Sequence, residues 1–319
     1  MNLTPRKIIV AYSLGSVGTR IYLTVPSILL WYYLTQVLMI PPGLAGLAVF
    51  LPRIWDMITD PAMGWISDRT QSPMGRRRPF LLVGGILTSL TFGFLFSAPE
   101  LVNPTWSFAY IVGIYVISAT AYTVYAVPYL AMPAEMSTNK SERSRIMSYR
   151  MSFAMTGVLI GSALAPVLLE YFGGGRQGFS AMGWIVGSIC AVTMLLAFFG
   201  TANAPDVSSH SENQETIHGR FIDLCKDREF LSLGGAYIFQ LAGFGIFLGT
   251  TPYFVTQIAG RSEGAISHIF LATLGGAIAS MFAWNKLTGS IGKMRSYFLA
   301  SVIAACGFVI FWMIIPSAR

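Results

Sequence analysis

Apolar residues run in long blocks along this chain, and short polar stretches rich in Lys and Arg separate them. Nine blocks are long enough to cross a bilayer as helices, which takes about 20 mostly apolar residues. They lie at roughly 9–38, 43–67, 80–98, 105–134, 145–169, 181–200, 230–257, 264–285 and 296–315. The first is long, which predicts tilt or a start outside the hydrocarbon. The one extended polar stretch, 202–229, is rich in Ser, Asn, Asp and Glu and predicts a linker. The pattern therefore predicts an all-α polytopic protein: a six-helix bundle over 1–201, the linker, and a three-helix bundle over 230–319. Met1 to Lys7 is short and basic, but the apolar block behind it is too long for a cleaved leader.

Composition agrees with this division. Hydrophobic residues make up 54% of the chain and charged ones 11%, whereas a soluble domain is about 25% charged. The net charge of +7 is unevenly placed. Arg6 and Lys7 precede block one, and Arg69, Arg76, Arg77 and Arg78 follow block two. Lys140, Arg143 and Arg145 follow block four, Arg220, Lys226 and Arg228 follow block six, and Lys286, Lys293 and Arg295 follow block eight. The loops on the other side carry Arg176 and Arg261. This bias predicts a cytoplasmic N-terminus in a multi-pass protein of the inner (plasma) membrane, with the lipid bilayer as partner. The basic character is a topology signal, and no basic groove with stacking aromatics suggests nucleic acid. Cys190, Cys225 and Cys306, like His210, His218 and His268, have neither disulfide nor metal spacing.

Block two departs from the rule it otherwise follows. Its second half reads RIWDMITDPAMGWISD and carries Arg53, Asp56 and Asp60. At about 100° per residue these lie at roughly 0°, 300° and 340°, on one stripe of the helix. A charge at mid-membrane costs at least ~2.5 kcal/mol on insertion scales. The stripe either faces a polar cavity or locks helices through an Arg53–Asp56 ion pair. The second alternative leaves Asp60 without a partner. Two carboxylates one turn apart, with the Thr59 hydroxyl beside them, make an oxygen cage for Na+ or a site for H+. No other cofactor is implied.

Other polar residues sit inside apolar blocks. Arg20 lies in block one and Arg150 near the start of block five. With Arg53 they outnumber Asp56 and Asp60 by one charge, which leaves room for an anionic group on a small-molecule substrate. Arg150 also reads as an interface Arg that reaches out to water. Block four holds Tyr122, Thr123, Tyr125, Pro128 and Tyr129, where Pro128 either frees backbone carbonyls towards a cavity or merely kinks the helix. Gly157 and Gly161 form a GxxxG and predict close helix packing. Asp68 and Glu135 end blocks two and four beside Arg76, Arg77 and Arg143, a set suited to gating ion pairs at the cytoplasmic face. WISDRTQSPMGRRR after block two is echoed by WNKLTGSIGKMR after block eight. Blocks two and eight are six apart, so the echo suggests two six-helix halves. On that reading segments ten to twelve are missing from this chain, which is then a truncated non-transporting fragment or one that needs a partner chain.

DMITDPAMGWISDRTQSPMGRRRPF resembles the segment 2–3 signature of the glycoside–pentoside–hexuronide:cation symporters, the melibiose-permease branch of the major facilitator superfamily. VPYLAMPAEMSTNKSERSRIMSYR resembles that family's segment 4–5 region. The resemblance implies a twelve-helix fold, of which about nine helices are present here, and transport by alternating access. It implies that Asp56 and Asp60 are the paired cation-binding carboxylates, with Thr59 and Thr123 as polar ligands and Arg150 as the segment-five arginine. Two positions depart from it. Arg20, in GSVGTR, replaces a sugar-binding Asp, and Ala126 replaces a second one. An anionic hexuronide, or a non-sugar amphiphile as in some relatives, suits Arg20 better than a neutral galactoside. Arg20, Arg150, Tyr122 and Tyr125 are the expected substrate contacts. A remote alternative is an intramembrane prenyltransferase holding Mg2+-diphosphate on Asp56-x-x-x-Asp60 and Asp223-x-x-x-Asp227. Met63 and Ser67 occupy the positions where that motif needs acids.

Overall fold

A computed structural model describes residues 4–100, 103–204 and 228–314. The polar stretch 205–227, with His210, His218, Asp223, Cys225 and Asp227, lies outside the described residues. Among the described residues the chain is helical and has no strand. The helices are α1 Arg6–Tyr32, α2 Pro42–Arg69, α3 Arg78–Leu95, α4 Pro104–Met136, α5 Lys140–Tyr171, α6 Gly175–Gly200, α7 Arg228–Tyr253, α8 Ala265–Ile291 and α9 Lys293–Ile314. Each matches one predicted block to within a few residues. Helices α1, α3, α4, α5, α6 and α7 are long and apolar enough to cross a membrane by length and composition. Helix α2, which carries the charged stripe, is not among them.

Helix ends follow local chemistry. Pro42 opens α2 and Pro104 opens α4, where a missing N–H costs nothing. Asn103 and Asn139 cap α4 and α5 by accepting from Thr105 N and Ser141 N, both at 2.9 Å. Helix α4 runs unbroken through the buried Pro128. Pro128 has no N–H to donate to the Val124 carbonyl, so one bond of the ladder is missing although the helical course continues.

The helices pack as a partly open ring. Helix α2 lies on α4, α4 on α3, α3 on α6, α6 on α1, and α1 on α5. Helix α1 is the centre: 61% of its apolar window is buried, against 17% for α7. Small residues let the backbones approach. A Cβ at Gly157 of α5 would stand 2.5 Å from Val17 O of α1, and one at Gly161 3.4 Å from Ile21 Cα. The GxxxG therefore makes the close seam expected of it.

Helices α7 and α8 meet this ring at one end. Helix α7 packs on α1 and α8 on α5. Tyr253 Oη donates to Trp31 O at 3.2 Å and pairs with the Thr35 hydroxyl, and the Tyr32 and Tyr253 rings meet edge to face at 5.6 Å. Tyr32 Oη donates to Glu263 Oε1 at 3.3 Å. The α1 and α7 residues among these lie at the far ends of their helices, away from Arg6 and Arg228, and Glu263 lies in the loop before α8. Towards the start of α7, Tyr237, Ile238 and Phe239 are exposed, and Gly234, Gly235, Gly243 and Gly245 have no neighbour within 4 Å of a Cβ position.

A second echo appears here that the sequence reading missed. Helix α1 ends in a π-helical turn, Tyr33–Val37, with sequence YLTQV; α7 ends in another, Phe254–Ile258, with sequence FVTQI. Both turns close with the same bonds, Leu38 N to Tyr33 O at 3.0 Å and Ala259 N to Phe254 O at 2.9 Å. The next residues, Met39 (φ 55°) and Gly260 (φ 59°), are both left-handed. Glycine adopts that conformation freely, and methionine at the matching position is strained. Helices α1 and α7 are six apart, the spacing of the echo between blocks two and eight.

Candidate functional site

The charged stripe of α2 faces α4 and α1. Thr123, buried on α4, donates its hydroxyl to Asp60 Oδ1 at 2.7 Å. One turn away, Arg53 Nη1 stands 3.5 Å from Asp56 Oδ2, with the two side chains 49% and 21% exposed. The other oxygen, Asp56 Oδ1, is buried and has no hydrogen-bond partner. Asp56 borders a cavity of about 10 Å³ formed with Tyr22, Arg53, Tyr115, Tyr122 and neighbouring apolar atoms. That volume holds about one water molecule or a bare small cation. The ion-pair alternative thus describes half of the stripe: Arg53 takes one oxygen of Asp56, and Asp60 is held by a neutral hydroxyl.

Thr59 behaves differently. Its hydroxyl donates to Trp55 O at 3.2 Å on its own helix, while Trp55 Nε1 crosses to Thr120 Oγ1 at 2.8 Å. The structure therefore brings Thr123, and not Thr59, into hydrogen-bond contact with a carboxylate.

Tyr122 organises the neighbouring wall. Its ring stacks on Tyr22 at 4.5 Å and 10°, and Tyr22 Oη bonds Ser118 Oγ at 3.0 Å. Arg20, Arg53, Arg150 and Asp60 all lie within electrostatic reach of Tyr122. Arg20 approaches from the α1–α5 seam, its Cβ 3.0 Å from the point a Gly157 Cβ would occupy. Arg150 approaches from α5, its guanidinium 5.9 Å from the Tyr129 ring centroid and its buried Nε without a hydrogen bond. Of these arginines, Arg53 lines the same small cavity as Tyr122. Tyr125 goes elsewhere. It is 0% exposed and packs against Gly84 and Gly15 in the core of α1, α3 and α4, with its buried hydroxyl unpartnered. Ala126, also buried, offers no polar group.

At the end of the bundle near Arg6 the predicted gating set is largely assembled. Arg77, only 8% exposed, reaches Asp68 and Glu135, the latter at 2.8 Å from Nε. Arg76 pairs with Glu135 as well. Arg143 does not join these ion pairs. It donates instead to Ala134 O at 3.0 Å and to Ser137 O, carbonyls at the end of α4 that have no helical partner. The correction follows from position: at the first turn of α5, Arg143 faces the terminus of α4 and not the loop after α2.

At the opposite end, two carboxylates from different parts of the chain come together. Glu263, in the loop before α8, accepts from Tyr32, and its second oxygen is buried without a partner. Burial pushes the Glu263 carboxyl above the usual carboxylate range; the Tyr32 hydrogen bond works against this and the Glu170 charge adds to it. Glu170 lies directly against Gly264. No sequence pattern signals this pair, because its members lie on opposite sides of the linker.

A polytopic helical bundle with a charged stripe on one inward helix face and a closing contact at one end is the architecture of a membrane transporter. The chain belongs to the MFS/sugar transport protein family, whose profile matches residues 11–318. It is 26% identical over 281 residues to the inner membrane symporter YicJ of Escherichia coli (strain K12), covering 86% of this chain and 59% of that protein. It is 30% identical over 301 residues to YagG of the same organism, named for glycoside/cation symport, covering 90% of this chain and 62% of that protein. The chain thus spans about three-fifths of the length of these relatives. A crystal structure of tetrameric PepTSo2 shares the fold, with a TM-score of 0.50 and 15% identity over 93% of this chain and 57% of that one. The protein is a multi-pass membrane protein of a transport family, and the prenyltransferase alternative falls with that assignment.

Proposed function

We propose that this chain forms the cation-coupled, substrate-binding part of a sugar symporter. The observation that carries the reading is the Asp56–Asp60 stripe. One carboxylate accepts from Thr123, and the other keeps a bare buried oxygen and borders a cavity about the size of one water. Hard cations take oxygen ligands, and Asp56, Asp60 and Thr123 supply them, with Thr59 one residue away on the same helix. Na+ and H+ both suit this set.

The substrate contacts are Tyr122, Arg20 and Arg150, and the surplus of arginine favours an anionic sugar such as a hexuronide. The relative named for glycoside/cation symport supports the sugar and cation classes. A non-sugar amphiphile is the second substrate class that the arginines would accept.

In this reading a cation neutralises the carboxylate pair and shifts the protein towards the substrate-binding state, and two bundles, 1–201 and the helices after 230, rock about the site. The Lys and Arg bias puts the N-terminus in the cytoplasm. The contacts of Tyr253, Tyr32 and Glu263 then close the outer face, and the Asp68, Arg76, Arg77 and Glu135 cluster serves as the inner gate. Uptake into proteoliposomes tests the proposal. Asp56→Asn abolishes concentrative uptake driven by a Na+ or H+ gradient while the protein stays folded in the membrane. Unchanged uptake removes Asp56 from the coupling site.

A further inference from the structure

A cavity of about 260 Å³ opens at the end of the bundle near Arg6, between the α2–α3 loop and the ends of α4 and α6. Arg76, Arg77, Arg78, Glu135, Met136 and Ala202 are among its lining residues. Its volume approaches the lower end of the range of small-ligand sites, about 300 Å³. Arg77 pairs with Asp68 and Glu135, and Arg76 with Glu135. Arg78 is different. Among the described residues no carboxylate lies within ion-pair distance of it. Its terminal nitrogens donate to Met74 O at 3.3 Å and Phe198 O at 3.2 Å, its guanidinium lies 4.8 Å from the Phe198 ring centroid, and its Nε–H is buried and unbonded. A full positive charge is thus clamped in one place on a cavity wall whose one described carboxylate, Glu135, is already taken by Arg76 and Arg77.

The level of the cavity matters. Arg78 is the first residue of the apolar helix α3, and Thr201 directly follows α6, so the cavity sits where helices emerge from the hydrocarbon. Methionines and alanines line its other side. A guanidinium binds phosphate oxygens through planar paired donors, and basic pockets between helices at the cytoplasmic surface hold anionic headgroups.

We infer that this cavity binds a phosphate group, carried by an anionic phospholipid headgroup or by a free phosphate, with Arg78 as its anchor. The occupant touches the loop that carries Arg76 and Arg77, so it also steadies the ion pairs to Asp68 and Glu135. The inference concerns Arg78 and the cavity and stands apart from the transport proposal.

Purified protein in discs of phosphatidylcholine with phosphatidylglycerol is examined by native mass spectrometry after partial delipidation. The protein retains phosphatidylglycerol over phosphatidylcholine, and Arg78→Gln lowers that retention by about five-fold, the effect of one basic residue on an anionic lipid. Ala202→Glu, an exposed turn position that puts a carboxylate into the cavity, has the same effect and decides the matter if Arg78→Gln does not fold. In discs of phosphatidylcholine alone, inorganic phosphate is compared with chloride at fixed ionic strength. A rise in melting temperature that both variants lose assigns the site to a free phosphate. Equal retention of the two lipids with no response to phosphate overturns the inference, as does wild-type behaviour in Ala202→Glu.

Discussion

Thr123 on α4 donates its hydroxyl to Asp60 on α2 across 2.7 Å. With the bond from Trp55 Nε1 to Thr120 Oγ1, it ties the charged helix to its neighbour. It also leaves Asp60 an acceptor with a neutral partner, so its charge is available to a cation in a way that the charge of Asp56, shared with Arg53, is not.

Thr123→Ala removes a hydrogen bond to a charged group, which contributes about 1.5 kcal/mol or more. The concentration of coupling cation that gives half-maximal uptake is expected to rise about ten-fold, while Thr123→Ser stays near wild type because the hydroxyl is kept. A cation titration of uptake checks both. Equal cation dependence in Thr123→Ala and wild type would show that the hydroxyl only aligns the helices.

The α1–α5 seam predicts a stability effect that is local to glycine. A Cβ at Gly157 meets backbone atoms of Val17, which cannot swing aside, whereas one at Gly113 meets nothing within 4 Å. Overpacking of this kind costs about 1–3 kcal/mol. Gly157→Ala should lower the melting temperature in detergent by several degrees, and Gly113→Ala should leave it unchanged or raise it. A thermal-shift series on the two variants is the measurement.

Closure at the far end of α1 should depend on pH. Burial raises the Glu263 carboxyl above its ordinary value, and Glu170 adds to the rise. The closed arrangement therefore holds the Glu263 proton more tightly than an open one. The sign follows: closure is favoured as pH falls through that raised range and weakens as pH rises above it. A thiol placed by Thr35→Cys, against Tyr253, should react more slowly with an impermeant maleimide at pH 5 than at pH 7. Glu263→Gln, which mimics the protonated acid, should react slowly at both. The same pH dependence in Glu263→Gln would assign the effect to another group.

The helices were legible in the sequence because insertion into a bilayer is a local test: each block passes or fails on its own residues. The stripe of Arg53, Asp56 and Asp60 was legible for the same reason, since a helix repeats every 3.6 residues whatever surrounds it. The charged cluster was readable from helix ends placed beside basic loops, and four of its five members, Asp68, Arg76, Arg77 and Glu135, meet as the spacing suggests. Arg143 and Tyr125 were not readable. A sequence shows that a polar or aromatic side chain sits in a block, but not which way its helix is turned.

By itself, then, the sequence determined that this protein is a helical membrane bundle with carboxylates and arginines at membrane depth, because hydrophobic burial and charge insertion act residue by residue. Tertiary structure alone decided that Thr123 and not Thr59 bonds a carboxylate, that Tyr122 stacks on Tyr22 beside Arg53, and that Glu170 lies against the Glu263–Gly264 loop. Each of those is a contact between helices far apart in the chain, set by how small residues such as Gly157 and Gly84 let backbones approach and fix each helix in rotation.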